Sequence, residues 1–131
     1  MRILYDTNVL VKMLSRREAI LAFKKELQSG STHISSRHIL SEVEAVLVEK
    51  LKLTKQKAKA AARLLGRQSV IVHPKEIEKI CRDPFDDYVL AAAVMGEVEY
   101  LVTADKDLLV LEAHRGVKIV TPNEFARLAS K

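Results

Sequence analysis

Met1-Arg2-Ile3-Leu4-Tyr5-Asp6-Thr7-Asn8 opens the chain with a short apolar strand that stops on an acid and passes, through small polar residues, into a helix. In an open α/β sheet, ligands collect outside the carboxyl ends of the strands, so an acid at that handover is placed for chemistry. Asp6 or Thr7 equally suits the N-cap of a helix starting near Asn8. The same pattern recurs downstream. Strands are predicted over 2–5, 32–35, 69–72, 100–103 and 117–120, from short β-branched or apolar runs bounded by polar residues. Helices are predicted over 8–14 and 18–28, the latter stopped by Ser29 and Gly30. A long helix follows Ser35 or Ser36 with Ile39, Leu40, Val43, Val46 and Leu47 as its apolar stripe, and another follows Thr54. Asp83-Pro84 opens a nearly all-apolar helix over 85–95, a short turn starts at Asp105, and Pro122 starts a last helix to about 129. Strands joined by helices need right-handed crossovers, which predicts an α/β fold with a mostly parallel five-stranded sheet and helices on both faces.

At 131 residues the chain suits one domain spanning 1–131. Its 48% hydrophobic and 30% charged residues are those of a globular protein rather than a disordered one. No apolar run approaches the roughly 20 residues that cross a bilayer, and no secretory h-region precedes the first strand. The expectation is a cytoplasmic protein without a membrane partner. Cys81 is the single cysteine, which excludes an internal disulfide and a thiolate zinc site and suits a small buried hydrophobe. The 22 Lys and Arg against 17 Asp and Glu give +5, a balance that favours polyanionic partners. Lys55, Lys59, Arg63 and Arg67 fall at four-residue steps and form a basic stripe. Such a stripe is either a solvated helix face or a surface that follows phosphates.

Acids gather at one edge of the expected sheet: Asp6, Glu42, the Asp83, Asp86 and Asp87 group, and Asp105 with Asp107. Asp83 suits an N-cap, and Asp86 suits the first helical turn, where negative charge meets the helix dipole. Asp87 continues the face of Ala91 and Val94 in an apolar helix, so it must reach solvent or meet a cation. Glu42 and Glu44 flank the two sides of the apolar stripe, and the helical wheel does not choose between them. Asp105 also suits a cap. Several carboxylates in a partly desolvated cleft repel one another, and burying each unpaired costs several kcal/mol, which a divalent cation relieves. Hard oxygen ligands suit magnesium or manganese, and the four histidines lack a zinc spacing. Such ions support phosphodiester hydrolysis, with Thr7, Asn8 or Thr103 available to orient a water or a ligand. A glycine-rich phosphate loop and a G-x-S-x-G elbow are absent from the sequence.

These residues resemble the PIN domain, a family of metal-dependent ribonucleases. The likeness runs through Asp6-Thr7-Asn8-Val9-Leu10, Ser35 to Leu47 with Glu42, Asp83-Pro84-Phe85-Asp86-Asp87 with Leu90-Ala91-Ala92-Ala93, and Leu101-Val102-Thr103-Ala104-Asp105-Lys106-Asp107-Leu108-Leu109. It is similar in particular to the VapC-like toxins of toxin–antitoxin pairs. The resemblance implies a three-layer α/β/α sandwich, a magnesium or manganese site and an RNA substrate. It implies Asp6, Glu42, Asp87 and Asp105 as catalytic metal-binding acids, with Asp107 a fifth candidate and Asp86 the alternative in alignment. It selects Glu42 over Glu44. VapC-like proteins more often carry Asn in place of Asp105 with an Asp several residues later, whereas here Asp107 follows sooner, so the ligand roles of the two stay open. A homodimer and a cognate antitoxin are the partners implied. The competing expectations are a non-catalytic RNA-binding or scaffold module and a haloacid-dehalogenase-like phosphatase with Asp6 as nucleophile. The usual second Asp of such a phosphatase, two residues on, is replaced here by Asn8.

Overall fold

A computed structural model describes residues 1–16, 21, 25 and 29–129. In chain order the described elements are β1 (Arg2–Tyr5), α1 (Thr7–Ser15), β2 (Thr32–Ser36), α2 (Arg37–Glu49), α3 (Lys55–Arg67), β3 (Ser69–Val72), α4 (Pro84–Met95), β4 (Tyr100–Val102), α5 (Lys106–Leu109), β5 (Ala113–His114), β6 (Val117–Val120) and α6 (Pro122–Ala129). Side chains that compete for backbone N–H groups set many of the boundaries. Ser36 caps α2 through the amide of Ile39, Thr54 caps α3 through Lys57, and Asp83 caps α4 through Phe85 with Pro84 in the first turn. At the start of α6 Thr121 and Glu124 each accept the other's backbone N–H, a reciprocal capping box. The helix expected over 18–28 lies almost wholly outside the described residues.

The strands form one sheet in the order β3-β2-β1-β4-β6-β5, parallel throughout except for β5 against β6. Together with the flanking helices it forms an α/β fold of the PIN-like, three-layer kind. The apolar runs of the central strands explain their place: Ile3, Leu4, Leu101 and Val102 are all fully buried. Around them pack Ile39, Val43 and Leu47 of α2, Val89 and Ala93 of α4, and Phe125 of α6.

The sheet has six strands among the described residues, not the five expected. The sixth, β5, is two residues long and pairs with β6 through a two-residue turn at Arg115-Gly116. Both turn residues have positive φ, 47° and 84°, the backbone that matches the twist of a tight hairpin and that Gly116 adopts freely. A two-residue strand carries no periodicity of its own. The expected helix starts at Asn8 and Phe85 also move earlier, to Thr7 and Pro84. Among the described residues no helix is long and apolar enough to cross a membrane.

The order in which strands are added to the sheet reverses between β1 and β4, which remain parallel. From β1 the chain moves outward to β2 and β3, then returns to lay β4 on the other side of β1. Loops leaving two adjacent parallel strands toward opposite sides open a crevice at their carboxyl ends. Asp6 follows β1 and Thr103 follows β4 at that crevice.

Candidate functional site

Thr103 ties the two strand ends together. Fully buried, its hydroxyl donates to Asp6 Oδ2 at 2.8 Å and its Oγ1 accepts from the Asp105 backbone N–H at 3.0 Å. Asp6 Oδ1 accepts from the Thr7 backbone N–H at 2.8 Å, so the carboxylate caps α1 as well as facing the crevice. Asp105 likewise caps α5, accepting from the Asp107 N–H at 2.9 Å. Capping and site membership are therefore compatible at both acids. With both Asp6 oxygens held by donors, the geometry suits a fixed ligand better than a nucleophile.

Of the adjacent pair Asp86 and Asp87, it is Asp86 that joins the clustered acids. Neighbours on a helix point about 100° apart, so only one of them faces the crevice. Asp86, 4% exposed, brings a carboxylate oxygen into a set with Asp105 and Asp107 whose ligand atoms all lie within 4.8 Å of one another. Asp87 Oδ1 accepts from the backbone N–H groups of Ile80 at 3.0 Å and Cys81 at 2.7 Å. Burial pushes the Asp87 carboxyl up, but these two amides, with the Cys81 thiol and the charge of Lys79, together hold the group below the usual range. Asp87 also lines a separate recess of about 300 Å³ with Pro74, Ile80, Leu90, Val94 and His114, which contains none of the crevice acids. Beside the solvent or cation expected for Asp87, the backbone of the incoming segment is a further partner. The dipole explanation for Asp86 was likewise incomplete.

Electrostatics mark the crevice as short of positive charge. Asp86 is raised to about 7, first by burial and then by the negative charges of Asp105, Asp83 and Asp6. Asp6 is raised as well: burial and the charge of Asp105 outweigh the hydrogen bonds from Thr103 and Thr7. The one ion pair the set makes among the described residues is at its rim, where Arg82 Nη2 meets Asp107 Oδ1 at 2.7 Å.

The remaining candidates divide. Thr7 is 4% exposed and its Oγ1 has no hydrogen-bond partner among the described residues, while Asn8 is exposed. Thr103 donates to Asp6 and accepts from the Asp105 backbone N–H, so it positions both acids. Glu42 is exposed on α2 and is not one of the three clustered acids. Its helix nonetheless approaches α4, for His38, one turn before Glu42, stacks on Tyr88 with ring centroids 4.1 Å apart. Lys55, Lys59, Arg63 and Arg67 are all exposed on α3. Lys55 and Lys59 border a groove of about 540 Å³ shared with Glu44 and Glu49 of α2, so that end of the basic stripe faces acids of the same chain. Cys81 is partly buried, and its thiol is pushed up to about 12 by burial and then by the adjacent Asp87 charge, which makes it unreactive. Arg82 escaped the sequence reading altogether; its only signal was a basic residue directly before the Asp83-Pro84 cap.

The donor set fits a hard divalent cation. It offers carboxylate oxygens without thiolate or imidazole, Asp6 and Asp86 beside it are raised by burial and then by neighbouring negative charge, and Thr7 leaves a buried hydroxyl oxygen without a partner among the described residues. No curated protein matches the chain. A family profile described as PIN domain matches residues 2–107, which takes in the crevice from Asp6 to Asp107. The chain belongs to the PIN domain family, a nuclease fold.

Proposed function

We propose that this protein is a divalent-cation-dependent endoribonuclease acting at the β1–β4 crevice. The observation that carries the proposal is the convergence of Asp86, Asp105 and Asp107 on one small volume beside Asp6. Asp6, Asp86 and Asp105 are the acids assigned to hold magnesium or manganese, with Asp107 at the rim; Glu42, exposed on α2, is a further candidate from the family motif alone. The ion supplies charge to counter the phosphate oxygens and to make a water acidic. The chain's own part is orientation: Thr103 and the Thr7 amide hold the Asp6 carboxylate in place, and the Asp105 cap fixes its carboxylate toward Asp86. The excess of basic residues, formally +5, suits a polyanionic substrate.

A toxin role, with a cognate antitoxin and a homodimeric state, is the biological setting proposed from the VapC-like pattern of the motifs. Light scattering at micromolar concentration tests the dimer, a clean monomer mass counting against it. The activity is tested on a pool of single-stranded and hairpin RNA with manganese, with EDTA, and with the Asp6→Asn and Asp86→Asn variants. The expected result is cleavage abolished by EDTA and reduced more than about 100-fold in each variant. Equal cleavage by the variants would overturn the mechanism.

A further inference from the structure

Arg82 is tied to an acid of the crevice yet remains largely in water. Its side chain is 87% exposed while Nη2 contacts Asp107 Oδ1 at 2.7 Å. An exposed pair of this kind contributes only about 0–1 kcal/mol, so stability does not account for its placement. The backbone that presents it is held much more firmly. Ile80 and Cys81 donate their amides to Asp87 at 3.0 and 2.7 Å, and directly after Arg82 the Asp83 carboxylate accepts from Phe85 at 2.9 Å. Two carboxylate anchors thus fix the chain on either side of Arg82. A guanidinium carries five N–H donors in a planar fork suited to phosphate, and most of this one faces solvent. An RNA strand entering a cleft lined with acids needs such a counter-charge at its rim.

We propose that Arg82 is a phosphate-binding residue, held over the acidic crevice by the Asp87 clamp on residues 80–81, and that it takes an RNA phosphate neighbouring the one at the cluster. Asp87 is then a positioning residue that acts through Arg82. This inference rests on the nuclease reading above.

The test is binding of a fluorescent single-stranded oligoribonucleotide with manganese, in an Asp6→Asn background that stops turnover, across a salt series. Arg82→Gln is expected to weaken binding severalfold and to reduce the slope of log K against log salt by about 0.7, the loss of one phosphate contact. Arg82→Lys is expected to keep the slope. Asp87→Asn is expected to weaken binding in part, and the Asp87→Asn/Arg82→Gln pair to bind no more weakly than Arg82→Gln alone. Manganese affinity, measured by calorimetry without RNA, is expected not to fall in Arg82→Gln. Unchanged affinity and slope in Arg82→Gln, with the parent binding RNA and manganese, would overturn the inference and leave the nuclease reading standing. Additive losses in the double variant would overturn the role of Asp87. A wild-type protein that neither binds manganese nor cleaves RNA would defeat the nuclease reading, and this inference with it.

Discussion

Asp86 and Asp87 are adjacent, identical in chemistry and both buried, yet the fold gives them different work. Asp86 faces other carboxylates across the crevice, whereas Asp87 satisfies two backbone amides that would otherwise lack partners. Their substitutions are expected to separate cleanly. Asp86→Asn should weaken manganese binding at least about tenfold by calorimetry. Asp87→Asn should leave that affinity close to wild type while lowering the thermal midpoint, because a neutral amide grips the 80–81 backbone less strongly than a carboxylate. If the two variants exchanged these phenotypes, the assignment of the cluster would be wrong. The sequence alone left this choice open in the family motif, since one residue of helical rotation decides it and packing sets that rotation.

The elements that build the crevice are held by close packing as well as by hydrogen bonds. Gly96, at the end of α4, lies so near β2 that an added Cβ would come within 2.5 Å of Ile34 Cγ2 and 3.1 Å of the Ala92 carbonyl oxygen. Its φ of −77° is ordinary, so the need for glycine here is one of space. Gly96→Ala is therefore expected to destabilise the protein by about 1–3 kcal/mol in urea denaturation, by forcing α4 from the sheet. Leu101→Ala, which empties a fully buried position in central strand β4, should cost about 2–5 kcal/mol. Substitutions of the exposed Lys59 and Arg63 should leave stability within about 0.5 kcal/mol. At this scale the sequence was informative wherever a cap met a periodic run, as at Ser36, Thr54 and Asp83. It was silent at β5, whose two residues are ordered by the Arg115-Gly116 turn and by pairing with β6.

Across the whole molecule, the titrating groups make opposed contributions to stability. The raised Asp6 and Asp86 bind protons more readily folded than unfolded, so each removes stability as pH rises above about 4, for Asp86 until it passes about 7. Buried His33 is lowered to about 4, binds protons less readily when folded, and adds stability as pH rises from about 4 to 6.5. In EDTA the two acids are expected to prevail and the thermal midpoint to fall across this range. Manganese should relieve their repulsion and reverse the slope, leaving the contribution of His33. A midpoint that rises with pH in EDTA would refute the raised state of the acids. By itself the sequence determined the α/β class, the parallel crossovers, most helix starts and the acids at two strand ends, because strand runs, capping residues and chain direction are local properties. It also carried the family motifs from Asp6 to Asp107. Only the tertiary structure decided that Asp86 joins Asp105 and Asp107, that Asp87 clamps a neighbouring backbone, that Thr103 bridges Asp6 and Asp105, and that Arg82 stands at the rim. Each of these depends on the rotation of a helix or the meeting of segments far apart in the chain, and both are fixed by packing across the sheet, which no local pattern records.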